Sequence, residues 1–125
     1  MGDSMNKFKV TTSTLEGLSL DHFVAVALGW KIVNWGDKAV WVQASGEGRF
    51  RCNVADWHPS TNPAQAWPII EREGITTSRT VHGFWEAYRR PAGLQEFYQV
   101  ADTALIAAMR CFVASKLGEE FVSTL

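Results

Sequence analysis

The chain's 125 residues are the length of one domain. Its composition, 46% hydrophobic and 20% charged, is that of a globular protein and excludes a disordered chain. A net charge of −1 and a pI near 6.3 exclude the surplus of Lys and Arg that duplex nucleic acid demands.

In chain order, Ser13 and Glu16 have the spacing of a capping box, which adds a turn before Gly17. The first helix is expected over residues 20–28, with Ser19 as N-cap, Asp21 in the first turn and Gly29 as the left-handed stop. Leu20, Phe23, Val24, Ala27 and Leu28 share one stripe of it, the pattern of a helix packed on a sheet. Three short strands follow, over 31–35, 40–44 and 50–53, turning at Gly36-Asp37-Lys38 and Gly46-Glu47-Gly48. Asn62-Pro63-Ala64-Gln65 then supplies an N-cap, a proline at the first helical position and a Gln two residues on. The helix it starts runs through Ile69 and Ile70 to Gly74, and Pro68 inside it removes one backbone hydrogen bond and predicts a kink. A hairpin over 75–80 and 83–89 turns near His82-Gly83, and Arg90-Pro91-Ala92-Gly93 closes it. The last helix spans 103–117, between Asp102 as N-cap and Gly118.

This is an α+β pattern, an antiparallel sheet layered with helices in the order α-β-β-β-α-β-β-α. The domain is expected over residues 14–120, with 1–13 an N-terminal extension and 121–125 a C-terminal tail. Trp30, Trp41, Trp67 and Phe84 fall at core positions, and Ile70, Met109 and Phe112 are expected to be buried. The longest helical apolar run, Phe23 to Leu28, is far short of the ~20 residues that span a bilayer, so no membrane partner is expected. The acidic opening Met1-Gly2-Asp3-Ser4 precedes no apolar segment, so Cys52 and Cys111 are read as reduced thiols of a cytoplasmic protein.

Three segments carry a resemblance. They are Val26-Ala27-Leu28-Gly29-Trp30, the run from Trp57 through Pro59-Ser60-Thr61-Asn62-Pro63 to Ala66-Trp67 and Glu71, and Ala101-Asp102-Thr103 through Met109-Arg110. Together they are similar to the phage and prophage NinX-like proteins and the related phage ABA sandwich domain, over about residues 14–120. That family implies a sheet layered with helices, a cytoplasmic location in the host bacterium and no settled biochemical activity. More distantly the chain resembles phage anti-defence sponge proteins of the Thoeris anti-defence type. These sequester host immune nucleotides, of the cyclic ADP-ribose or cyclic oligonucleotide kind.

Catalytic patterns are missing from the sequence. It holds no G-x-S-x-G elbow, no phosphate-binding P-loop and no H-E-x-x-H pair. His22, His58 and His82 stand apart, and neither they nor the cysteines have the spacing of a four-ligand metal site. No enzyme, metal or cofactor is expected.

Arg110 breaks the apolar run of the last helix. Leu105, Met109, Phe112, Val113 and Leu117 form the core stripe, whereas Arg110 shares a face with Thr103, Ala107 and Ala114. A guanidinium among small side chains leaves room for an anion, and its planar fork suits phosphate or carboxylate. The plain alternative is an arginine that reaches solvent or pairs with an acid of its own chain. Trp57, in a loop, and Trp85, on a strand beside Tyr88 and Arg89, are the aromatics available to stack on a base. With Arg51 and Arg89 they complete the expected ligand site: Arg110, Trp57, Trp85, Arg51 and Arg89. The expected function is non-enzymatic binding of a small nucleotide. The alternative is an inhibitor or regulator that docks on a host or phage protein through a Trp-rich surface. Alanines at 104, 107, 108 and 114 of the last helix permit close approach of another copy, so a homo-oligomer is expected.

Overall fold

The computed structural model describes residues 7–90 and 96–123. Its elements are β1 (Phe8–Thr11), α1 (Gly17–Ala27), β2 (Trp30–Trp35), β3 (Lys38–Gln43), β4 (Phe50–Asn53), α2 (Pro63–Glu73), β5 (Thr76–Arg79), β6 (Trp85–Arg89), β7 (Phe97–Ala101), α3 (Ala104–Leu117) and β8 (Glu120–Ser123). All strand pairs are antiparallel, in sheets ordered β1-β8, β2-β3-β4 and β5-β6-β7. The expected α+β order is present, with β1, β7 and β8 in addition. Residues 8–11 and 120–123, which fall largely in the segments read as extension and tail, pair with each other from Phe8↔Ser123 to Thr11↔Glu120.

Helix α3 lies at the centre, packed on β5, β6 and β7 on one side and on α1 and α2 on the other. Ala107, Ala108, Met109, Cys111, Phe112, Val113 and Ala114 are all buried. This accounts for its apolar character on more than one side, because a helix sandwiched between layers leaves little of its surface to solvent. Its small residues admit neighbours from its own chain, so they no longer argue for a second copy on this helix. Burial pushes the Cys111 thiol up to about 12, against a lesser pull from Arg89, which leaves it inert. Cys52 and Cys111 are both free thiols.

The caps differ in detail from expectation. Asn62 accepts from the Ala64 N–H at 3.0 Å, as its position before Pro63 demands. Thr103, rather than Asp102, caps α3 by accepting from the Ile106 N–H at 3.1 Å. Glu16 is the N-cap residue of α1 without a side-chain cap bond, and the Ser19 hydroxyl donates back to its carbonyl. Helix α2 continues through Pro68 and stops at Gly74, whose φ of 66° suits a residue without Cβ.

Trp67 corrects the expected core. It is 59% exposed, because α2 turns Ala66, Ile69 and Ile70 inward and leaves Trp67 on the opposite side. Strand β7 alternates Phe97, Gln99 and Ala101 inward with Tyr98 and Val100 outward. The inward Gln99 is 4% exposed and donates to Glu119 Oε1 at 2.6 Å, so a polar residue holds a core position. No helix among the described residues is long and apolar enough to cross a membrane.

Candidate functional site

The five residues expected to form a ligand site do not come together. Arg110 donates through Nε to the Leu15 carbonyl at 2.7 Å and through a terminal nitrogen to the Val100 carbonyl at 2.8 Å. It thereby ties α3 to the segment before α1 and to β7. Partial burial holds its pKa below the usual arginine value, opposed by the nearby Glu16 and Asp102. The hollow beside it is lined by those two carboxylates as well as by Arg110, which disfavours an anion. Trp85 is half-buried and packs against the core.

Trp57 is 7% exposed, and its indole N–H donates to the Asp21 carbonyl at 2.9 Å. The Ser60 N–H reaches the buried Asp21 carboxylate at 2.8 Å, and His58 Nδ1 lies 3.8 Å from it. Burial raises the Asp21 pKa, and the Ser60 and His58 interactions pull the other way. The Gln65 side chain accepts from the His58 N–H and donates to the Asp56 carbonyl. The Pro-Ser-Thr-Asn loop is therefore a clamp that fastens the start of α2 to α1. Asp21 is its centre, a partner for the loop that sequence spacing does not reveal.

Arg89 lies elsewhere, on the Glu73 carboxylate, and Arg51 lines a cleft beside that same carboxylate. Gly74 ends α2 so that Glu73 lies in its last turn, and Lys116 lies in the last turn of α3. The Glu73 carboxylate receives Arg72 Nε at 3.1 Å, an Arg89 terminal nitrogen at 3.1 Å and Lys116 Nζ at 3.4 Å. Arg89 Nε also donates to the Glu73 carbonyl at 2.8 Å. Burial works to raise the Glu73 pKa, but the Arg72 hydrogen bond and the charges of Lys116, Arg89 and Arg72 outweigh it and hold the pKa below 4.5.

Across a cleft of about 350 Å³ stands Arg51. The β3–β4 register passes from Trp41↔Cys52 to Val42↔Phe50, so Arg51 is the extra residue of a β-bulge. Bulges re-aim side chains. Here the guanidinium donates to Gln43 Oε1 at 2.7 Å and sits 5.9 Å from the centre of the Trp30 ring. Arg51, Arg72 and Lys116 line the cleft against one carboxylate, Glu73, with Trp30 and Phe112 as apolar wall. Part of this positive charge answers the partial negative charge at the ends of α1, α2 and α3, which all reach the cleft. The side chains of Arg72 and Lys116 remain 57% and 40% exposed, so their free donors face solvent.

The sequence profile of the family described as Bacteriophage P22, NinX matches residues 11–116. The chain belongs to that family. The match takes in both the Asp21–Ser60 clamp and every cleft-lining residue named above. Its phage assignment agrees with the resemblance carried by the Pro-Ser-Thr-Asn segment and the start of α3. Among curated proteins no significant match to the chain is found. Among the described residues, no group of three or more His, Cys, Asp and Glu is placed to hold a metal ion.

Proposed function

We propose that this NinX-family phage protein works by stoichiometric binding, without catalysis, and that the cleft around Glu73 takes a small phosphorylated ligand of the nucleotide kind. In the infected bacterium, such a protein acts as a sponge for a host immune signal. The observation that supports this reading is the charge of the cleft, in which Arg51, Arg72 and Lys116 face one another over a single carboxylate already shared with Arg89. A protein of net charge −1 has little electrostatic reason to gather cations there unless they hold structure or a ligand. Trp30, beneath Arg51, offers a ring face next to the charged groups.

Calorimetric titration with inorganic pyrophosphate and with cyclic ADP-ribose tests the reading. Binding is expected to weaken about ten- to a hundred-fold in Arg51→Ala and in Lys116→Ala, at roughly 1.5–3 kcal/mol per charge-assisted hydrogen bond. No binding by the native protein, or an affinity unchanged from native in both variants, removes the cleft from consideration. A rival reading, docking on a host or phage protein, draws on Trp35 and Trp67, which are 56% and 59% exposed. It predicts that loss of these rings, and not of the cleft cations, abolishes the effect on the host.

A further inference from the structure

The sheet β2-β3-β4 has a second apolar layer, on the face turned away from the main core. On β3, Trp41 joins the core cluster, whereas its neighbours Val40 and Val42 lie outside that cluster and are still only 2% exposed. Strand alternation places them on the outer face with Lys31, Val33 and Trp35 of β2, and the ladder adds Phe50 of β4. Trp35 and Phe50 stack there with ring centres 5.7 Å apart, yet remain 56% and 45% exposed. Beside them β2 is an edge of its sheet, six residues long, without proline or bulge, and with Ile32 41% exposed. A long, regular edge with apolar side chains is a template for another strand.

We infer that β2 pairs antiparallel with β2 of a second copy about a two-fold axis through Val33, joining two sheets into one of six strands. Three features select this occupant and this register. The two-residue turn at Gly36-Asp37 makes Trp35↔Lys38 a hydrogen-bonded pair, so the pleat directs the main-chain groups of Ile32 and Asn34 away from β3. Centring the axis on Val33 sets Ile32 opposite the partner's Asn34, so those outward groups bond to each other. The same register keeps the two outer faces on one side and sets Lys31, the only charge on the strand, opposite the partner's Trp35. An ammonium against an indole face is attractive, and no like charges are opposed. The proposal stands apart from the anion cleft and does not depend on it.

Sedimentation equilibrium of the native protein is expected to give twice 13.9 kDa at micromolar concentration. Asn34→Pro removes an outward N–H and no ladder bond, so it should yield a folded monomer. Trp35→Lys, an exposed surface change, should also give a monomer, by opposing an ammonium to the partner's Lys31. Adding Lys31→Glu to Trp35→Lys should restore the dimer through two ion pairs. Circular dichroism confirms that each variant is folded. A native monomer, or a dimer that both single variants leave intact, overturns the inference. A dimer lost in the single variants but not restored in the double variant overturns the register.

Discussion

Arg110 carries the sequence signature of a ligand residue but the bonds of a structural one. Two of its donors are committed to the Leu15 and Val100 carbonyls, and two acids crowd the remainder. Arg110→Ala should therefore lower stability by about 2–3 kcal/mol, the scale of charge-assisted bonds to carbonyls left without a donor. Pyrophosphate affinity should stay unchanged. Melting curves run beside calorimetry check both halves, and a loss of affinity in a variant of native stability would return Arg110 to the site. Glu73 is the reverse case, a residue that looks like solvated surface and holds three cations. Its pKa is depressed in the fold, so its ionised form contributes stability that is fully present above about pH 4.5 and is lost as the pH falls through the lower folded value. The melting temperature of Glu73→Gln should lie below that of the native protein at pH 7, and the gap should close in acid. Asp21 acts in the opposite sense, because burial raises its pKa and its ionisation opposes folding as the pH rises.

Among the elements, helices were more legible than strands. Asn62 and Pro63 mark the start of α2 because capping chemistry is local, and α3 declares itself through fourteen residues almost without a charge. The four-residue strands β1 and β8 gave no such signal, since their partners lie at the other end of the chain. In β7 the inward Gln99 breaks the alternation that would have marked a strand, and only the Glu119 carboxylate explains it. The site likewise depends on contacts distant in the chain. Arg51 enters the cleft through a bulge, and bulges depend on the partner strand, so sequence named the residue without its setting. Helix phase decides a further pair of outcomes. Phe112→Ala, at 0% exposure, should cost about 3–5 kcal/mol, while Trp67→Ala on the outer side of α2 should change stability by less than about 0.5 kcal/mol. Denaturant midpoints of both variants test the phase of α2 and α3 together, and equal losses would contradict it.

At the scale of the whole molecule, the described residues form three small sheets, β5-β6-β7 packed on α3, β1-β8 beside it and β2-β3-β4 joined to α1, and two of the three are closed by local hairpins. The third is closed only by β1 and β8, reinforced where the Thr12 hydroxyl donates to the Gly118 carbonyl, 106 residues away, and the Thr12 N–H to the Glu119 carbonyl. In this antiparallel pair the outer ends, Phe8 and Ser123, are ladder partners. Tension applied between residues 8 and 123 therefore falls on that first pair and then on each next one in turn, so the ladder opens like a zip instead of resisting in shear. The fold is fastened by a seam that peels from its Phe8–Ser123 pair inward, whereas a pull on β6 or β7 would have to drag that strand from α3.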